Sequence, residues 1–361
     1  TPTVFILVDR SGSEFDSGCP NVMTGAYFTL KSAVESVVSD LQSQFRFGLG
    51  VFVGDHSTGT CARDWDTVPI DLNNSDAIKS KYDSLGQVPM ASGGNCKADT
   101  PAVEAIPMVK SLLQADTAVV SGPKFMLFAT DGQTDFCDDG DPDCPADAIT
   151  GEVQDLYTAG FGTLIMGDPF NGAPSLAFNA TVLQNLANAG TGQGTTLPTQ
   201  NGSTMQSQVY YACNGQGTAA GANSWTSLYT AAGHAASDTT TIATYSTAGT
   251  AKVFSPGGSD MGSLVTQLKA AINSVPRSCT FDLSTLAHPI KVDRTKLSEG
   301  GVFLNGAPVQ LDPNNMNGWD MISDTQLELF GDPCTTFQDP SQAAKISLDF
   351  PCDLIIIVDK P

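Results

Sequence analysis

The chain has little positive charge, little histidine and no long apolar run. Seventeen Lys and Arg stand against 38 Asp and Glu among 361 residues, so the net charge is −21, and there are three His. Because so few cations cannot form a basic patch, nucleic acid and anionic membrane surfaces are excluded as partners, and divalent cations are favoured. No apolar run approaches the ~20 residues that cross a bilayer, so we expect no membrane span.

The nine cysteines are not spaced for metal binding, because none forms a Cys-x-x-Cys pair and histidines are scarce. Disulfides are the better interpretation, and they indicate an extracellular or cell-surface protein. The odd count leaves at least one cysteine free or bonded to another chain. The sequence starts at Thr1 without a basic segment before an apolar run. A signal peptide would therefore have been removed already or lie outside this sequence.

Apolar strand patterns alternate with amphipathic helix patterns over residues 1–275. This alternation predicts an α/β domain with a doubly wound, mostly parallel, Rossmann-like sheet of six strands flanked by helices. A stretch from about 190 to 248 is rich in Thr, Gly, Ala, Ser and Asn and is interpreted as an insertion. The predicted strands are 4–8, 47–53, 68–72, 124–130, 162–166 and 251–254. The predicted helices are 21–45, 76–85, 101–113, 146–159, 174–188 and 260–275.

The pattern changes in the last part of the chain, residues 276–361. Short apolar segments are separated there by Gly, Pro, Asn and Asp. This spacing predicts a small antiparallel β domain. Its predicted strands are 279–283, 290–292, 301–304, 308–311, 326–330, 345–350 and 354–358.

Oxygen-bearing side chains follow two of the predicted strands. The first strand ends in Asp9, with Ser11 and Ser13 behind it, the fourth ends at Asp131, and Thr100 begins a helix. With a strand order of 3-2-1-4-5-6, strands one and four are neighbours at the edge where such sheets bind ligands. Three hydroxyls and two carboxylates then converge, and this hard donor set suits Mg²⁺ or Mn²⁺. Since hydroxyls are neutral donors, a metal held there would accept one more anionic ligand from outside.

Three segments of the sequence resemble the von Willebrand factor type A domain with its metal-ion-dependent adhesion site. They are VDRSGS at 8–13, ADTP at 98–101 and FATDGQ at 128–133, in the order that this family has. The resemblance covers about residues 1–275, except for the insertion. Together with the extra cysteines and the β-rich tail, the chain is similar to secreted or surface bacterial members of the family.

The resemblance implies a role for each of the five residues. Ser11, Ser13 and Thr100 would ligate Mg²⁺, or Mn²⁺ or Ca²⁺ in its place. Asp9 and Asp131 would act through bound waters or directly, depending on the state of the site. The remaining position would take an Asp or Glu carboxylate from a protein partner.

An acidic loop follows the candidate metal site and leaves two interpretations open. One is a tight loop closed by a Cys137–Cys144 bridge with solvated acids, and the other is a second cation site that binds Ca²⁺ in residues 135–143. The loop departs from the EF-hand pattern, because its third position is a cysteine and its twelfth an alanine. The candidate ligands are Asp135, Asp138, Asp139, Asp141 and Asp143. Two further disulfide candidates are Cys61–Cys96 and Cys19–Cys213.

Catalysis has little support in the sequence, so we do not expect an enzyme. No G-x-S-x-G elbow and no glycine-rich phosphate-binding loop follows a strand. Asp9 lacks the second acid that an aspartate-based phosphatase needs, because Ser11 stands there. We expect an adhesion or binding protein that engages a partner's carboxylate through the metal. The alternative is a structural subunit of an extracellular filament, sheath or surface layer, in which neighbouring copies are the partners.

Overall fold

The computed structural model describes most of the chain. The described residues are 2–15, 24–54, 64–89, 96–97, 99–116, 122–130, 146–167, 177–196, 199–200, 203–204, 244, 246–255, 261–275, 279–285, 290–339 and 345–357. The chain divides into two compact units. One consists of Thr3–Asp116 with Lys124–Ile272, and the other of Asn273–Pro361 with Thr1–Pro2 and Thr117–Pro123.

The first unit contains a sheet of six strands in the order β3-β2-β1-β4-β5-β8, and β6 and β7 form a separate hairpin. Neighbouring strands of the sheet pair in parallel, except that β3 runs antiparallel to β2. This architecture confirms the predicted fold class. In chain order the elements are β1 (Thr3–Asp9), α1 (Ala26–Leu41), β2 (Arg46–Val53), β3 (Asp64–Leu72), α2 (Ser75–Asp83), α3 (Ala102–Ala115), β4 (Lys124–Thr130), α4 (Ala146–Thr158), β5 (Gly162–Gly167), α5 (Ala177–Gly190), β6 (Thr199–Gln200), β7 (Ser203–Thr204), β8 (Val253–Phe254) and α6 (Met261–Asn273).

Strand β1 lies in the middle of this sheet and is buried along its whole length. Its Phe5 and Leu7 belong to a core shared with α3, β4, α4, β5 and α5. The ring of Phe5 lies against β2, where a Cβ atom on Gly48 or Gly50 would come within 2.7 or 2.8 Å of it. These two glycines therefore provide the space that the aromatic ring fills.

Two elements differ from their predicted bounds by four residues or more at one or both ends. Strand β3 has nine residues, whereas the apolar pattern predicted the last five of them. The added residues, 64–67, are half-buried at the edge of the sheet, and an edge strand does not need a continuous apolar sequence. Helix α1 begins at Ala26, after the φ of +122° at Gly25, rather than at residue 21. None of the helices in the described part of the chain has the length and apolar composition to cross a bilayer.

Side-chain amides hold the two ends of the predicted insertion on the first unit. Gln154 on α4 exchanges two hydrogen bonds of 2.8 Å with the backbone N–H and C=O of Thr244. Asn185 on α5 forms the same pair of bonds with Thr196, at 2.9 and 2.6 Å. The hydroxyl of Thr195 donates to the C=O of Thr244 at 2.9 Å, so the two ends also contact each other. Residues 196 and 244 are therefore fixed at neighbouring points.

In the described residues of the second unit there are three small antiparallel sheets, with strand orders β10-β16, β12-β11-β15 and β13-β14-β9. The predicted antiparallel β region is confirmed. Strand β13 and helix α7 were not predicted. Its elements are β9 (Thr280–Asp282), β10 (Ile290–Val292), β11 (Gly301–Leu304), β12 (Ala307–Val309), β13 (Gly318–Met321), β14 (Gln326–Phe330), α7 (Asp332–Gln338), β15 (Ile346–Asp349) and β16 (Ile355–Ile357).

A disulfide lies in the core of this second unit. Cys279 and Cys334, whose Cα atoms are 5.5 Å apart, join the start of β9 to α7. Cys279 belongs to the core that includes the buried Trp319 and Leu329, and Cys334 packs against this core. Cys352 is a free, exposed thiol. The sequence left open which of these three cysteines would be unpaired, and the structure assigns Cys352.

A buried ion pair lies at the amino-terminal end of the six-stranded sheet. The guanidinium of Arg46, at the start of β2, donates to both carboxylate oxygens of Asp116 at 2.6 and 3.0 Å, and both side chains are 9% exposed. Burial alone raises the pKa of Asp116, but the hydrogen bond and charge of Arg46, helped by Lys124, outweigh it and hold the pKa below the ordinary 3.8. The carboxylate therefore stays ionised at neutral pH.

We expect Asp116→Ala to lower the free energy of unfolding by about 3–5 kcal/mol, because it leaves the Arg46 charge buried and unpaired. Since the folded pKa of Asp116 lies below its unfolded value, this stabilisation is complete above pH 3.8 and is lost as the pH falls further. Denaturant unfolding at several pH values measures both effects. The exposed pair of Asp40 and Lys269 provides the control, because Asp40→Ala should cost less than about 1 kcal/mol. Equal losses in the two variants would contradict the assignment.

Candidate metal site

Asp9 is the last residue of β1 and lies at the carboxyl edge of the sheet. Its side chain is 0% exposed, and its Oδ1 atom accepts the backbone N–H of Ser11 at 2.7 Å. Val8 is paired with Ala129, so Asp9 lies beside Thr130 at the end of β4. The hydroxyl of Thr130 donates to Oδ2 of Asp9 at 3.4 Å. The carboxylate is thus fixed from both sides at the junction of two parallel strands.

Ser11 begins a tight turn that carries two of the predicted ligands. Residues Gly12–Glu14 form a 3₁₀ turn, in which the N–H of Glu14 donates to the C=O of Ser11 at 3.2 Å. Ser11 is buried. Ser13 belongs to this turn, and its side chain lies outside the described part of the structure. The turn therefore keeps the backbone of both serines close to Asp9.

Thr100 is brought to the same edge of the sheet by backbone pairing. Gly54, just beyond β2, exchanges hydrogen bonds of 2.9 and 3.2 Å with Asp99, and the N–H of Arg10 donates to Phe52 at 2.9 Å. The segment before Thr100 therefore lies next to β2, and β2 lies next to the end of β1. Thr100 itself is buried, two residues before α3 begins.

The remaining predicted ligands lie outside the described residues. Asp131 follows Thr130 directly in the sequence, and the acidic loop with Asp135, Asp138, Asp139, Asp141 and Asp143 comes after it. Both the metal role of Asp131 and a calcium site in residues 135–143 stay predictions. In the described part of the chain, no three or more His, Cys, Asp or Glu form a group that could hold a metal ion.

Of the six cysteines in the three predicted disulfides, one lies among the described residues. Cys96 is disulfide-bonded, and it is held by an antiparallel bridge to Pro89. Its predicted partner, Cys61, is outside the described residues. The same holds for the Cys137–Cys144 and Cys19–Cys213 pairs, so all three pairings stay predictions.

Acidic residues on β3 neutralise the cations of these loops. Arg10, between Asp9 and Ser11, forms an ion pair with Asp66 at 3.2 Å, and Asp66 also binds Lys81 of α2 at 2.7 Å. None of these three residues was predicted from the sequence to be part of the site, and neither was Thr130. Thr130 could have been predicted from its position in the FATDGQ segment, directly before Asp131. The Arg10–Asp66 pair could not, because it depends on the fold.

Aromatic rings pack against the turn that carries the serines. Phe15, which ends the turn, stacks on Tyr27 of α1 with ring centroids 4.9 Å apart. Tyr27 in turn contacts Tyr82 of α2 at 5.5 Å. Burial raises the pKa of both Tyr27 and Tyr82, so both phenols stay neutral. The turn is therefore fixed to α1, which itself packs on α2 through Tyr27, by apolar contacts in addition to its own hydrogen bonds.

The chemistry of these residues fits a hard divalent cation. The carboxylate of Asp9 presents two oxygens at this edge, each of which accepts one of the described hydrogen bonds. Ser11 and Thr100 add buried hydroxyl oxygens at the same edge of the sheet. Oxygen donors of this kind suit Mg²⁺, Mn²⁺ or Ca²⁺ and do not suit a soft metal.

The strand order and the parallel pairing of β1 with β4 together define the class of the first unit, an α/β domain with a six-stranded, mostly parallel sheet. No protein-family model matches the sequence, and no curated protein is significantly similar to it.

Several solved structures align with the chain at low similarity. BatB from Bacteroides thetaiotaomicron is 17% identical with a TM-score of 0.37, and the match covers 56% of this chain and 92% of BatB. The SpRpn10 VWA domain is 13% identical with a TM-score of 0.35, covering 56% of this chain and 84% of that domain. The open form of the pilus adhesin SpaC from Lactobacillus rhamnosus GG is 13% identical with a TM-score of 0.42. That match covers 96% of this chain, which spans 38% of the adhesin. Since all these TM-scores are below 0.5, we draw no conclusion about function from them.

We expect Phe15→Ala to lower the free energy of unfolding by about 3–5 kcal/mol, because it removes a buried ring stacked on Tyr27. The measurement is denaturant unfolding of the full chain in EDTA. Tyr157→Ala is the control, since Tyr157 is an exposed aromatic residue of the same unit and its loss should change stability by less than about 0.5 kcal/mol. A Phe15→Ala variant as stable as the control would show that the packing on α1 does not hold the turn.

Proposed function

We propose that the chain is an extracellular or cell-surface binding protein that holds a divalent cation at the candidate site and engages an acidic side chain of a protein partner. The observation that carries the proposal is the fixed carboxylate of Asp9, buried at the junction of β1 and β4 with Ser11 and Thr130 bonded to it. Thr100 lies at the same edge. The resemblance of these segments to a metal-ion-dependent adhesion site gives the arrangement its functional meaning.

The charges around the site support an anionic ligand that binds through the metal. The two cations described closest in sequence to the ligands, Arg10 and Lys97, form ion pairs with Asp66 and Asp64. Their charges are thus already neutralised within the protein. When bound, Mg²⁺ would supply an open, positively charged coordination position for a carboxylate. In a chain with a net charge of −21, such a local positive charge is what an acidic partner needs.

The disulfides support a location outside the cell. Cys279 is bonded to Cys334, and Cys96 is also disulfide-bonded. Disulfides of this kind persist in oxidising compartments and are rare in a reducing cytosol. We therefore place the binding function in an extracellular setting.

The direct test measures the binding of Mn²⁺ alone, by electron paramagnetic resonance or calorimetry. Asp9→Asn keeps an acceptor for the N–H of Ser11 but removes the charge, so we expect Mn²⁺ affinity to fall at least about 10-fold. Ser11→Ala should weaken binding as well, because it removes one ligand oxygen. Ser32→Ala is the matched control, because the Ser32 hydroxyl lies on the surface of α1 and bonds within that helix. Wild-type chain that binds no Mn²⁺, or Asp9→Asn that binds it as tightly, would refute the proposal.

Assembly into a filament or layer is the second candidate function. It is favoured by the exposed thiol of Cys352 next to β16, a strand that pairs with β10 alone among the described residues. Ile356 of β16 is 54% exposed. An unpaired strand edge with an exposed apolar side chain can pair with another chain.

Light scattering and negative-stain imaging in Mg²⁺ and Ca²⁺, in EDTA, and with a reductant test the assembly hypothesis. If β16 and Cys352 mediate assembly, polymers persist in EDTA and Cys352→Ser removes those that need the disulfide. Polymers lost in EDTA would instead indicate contacts through the metal edge. A monomer under all conditions, at high protein concentration, would refute assembly.

A further inference from the structure

Two carboxylates on one face of β3 lie at the same end of the sheet as the candidate site. Asp64 and Asp66 are two residues apart on a strand, so their side chains point to the same side of the sheet. They are paired across the sheet with Val53 and Val51 near the carboxyl end of β2. They are therefore at the same end of the sheet as Asp9, which is paired with Phe52.

Asp66 holds the segment that contains Asp9 and Ser11. The guanidinium of Arg10 lies 3.2 Å from Asp66 and is 2% exposed, so this pair fixes a buried charge. Asp66 also binds Lys81 at 2.7 Å, which connects the pair to α2. Any displacement of Asp66 would therefore disturb the residue between two candidate ligands.

Asp64 holds the segment that leads to Thr100. Its carboxylate lies 2.6 Å from the ammonium of Lys97, which is 12% exposed. The backbone N–H of Lys97 donates to the C=O of Val88 at 2.8 Å, and Asp99 is paired with Gly54. The side chain of Lys97 and the backbone of Asp99 thus fix the chain on both sides of residue 98, directly ahead of Thr100.

We propose that Asp64 and Asp66 are positioning residues for the candidate metal site, which they hold in its binding geometry through Lys97 and Arg10. This inference rests on the proposed function. Groups that orient metal ligands from behind typically contribute 10- to 100-fold to metal affinity. Without its carboxylate partner, each cation would also be an uncompensated positive charge next to a cation site, which further weakens metal binding.

The test measures Mn²⁺ affinity of the full chain with Asp66→Asn and Asp64→Asn, together with thermal unfolding in EDTA. We expect affinity to fall about 10- to 100-fold in each variant. Asp66→Glu keeps the charge and should recover part of the affinity. Asp71→Asn is the matched control on the same strand, where the carboxylate is exposed and accepts the N–H of Leu72. It lies roughly 16–23 Å along the strand from the other two, beyond the screening length at 0.1 M salt, so its affinity should stay unchanged.

The results separate this inference from the proposed function. Wild-type chain that binds no Mn²⁺ would overturn both. Tight binding by the wild type, with unchanged affinity in Asp64→Asn and Asp66→Asn, would overturn the positioning role alone. If Asp66→Asn does not fold in EDTA, Asp64→Asn decides the matter, because Asp64 is 35% exposed and its loss leaves the core intact. A fall in affinity equal to that of Asp71→Asn would show a general charge effect and refute the proposal.

Discussion

The parallel pairing of β1 with β4 is the constraint on which the candidate site depends. It places the ends of the two strands side by side, so the carboxylate of Asp9 meets the hydroxyl of Thr130. Because β1 is buried on both faces and paired on both edges, Asp9 cannot shift without disturbing the core. The turn at Gly12–Glu14 and the segment before Thr100 are then arranged around a fixed point.

Much of the fold could be predicted from the sequence where burial produces a continuous or an alternating apolar pattern. The bounds of β4 and β14 were predicted to the residue, because the interior of β4 is a continuous apolar run and β14 alternates polar with apolar residues, as a half-buried strand does. Strand β3 was predicted incompletely, since Asp64 and Asp66 interrupt the pattern and find their partners on other elements. Strand β13 and helix α7 were missed because they are short and follow Asn-rich and Gly-containing turns.

Some residues of the candidate site could be predicted from short sequence segments, whereas others depend on contacts between residues far apart in the sequence. Asp9, Ser11 and Thr100 could be predicted because each lies in a short, characteristic segment. The structure brings these segments to one edge of the sheet. Arg10 and Asp66 are 56 residues apart, and their contact depends on how β3 pairs with β2. No local pattern indicates such a pair. The metal roles of Ser13 and Asp131 remain predictions from the sequence.

The amide bonds that fix Thr196 and Thr244 have a consequence for how this domain can vary. Gln154 and Asn185 hold the two ends of the intervening chain at neighbouring points, so its ends are brought together whatever lies between them. Doubling the length of a flexible loop between fixed ends costs only about 0.6 kcal/mol. The domain can therefore accept segments of different length and sequence at this point while its sheet is preserved. New recognition surfaces can be acquired there independently of the residues around Asp9.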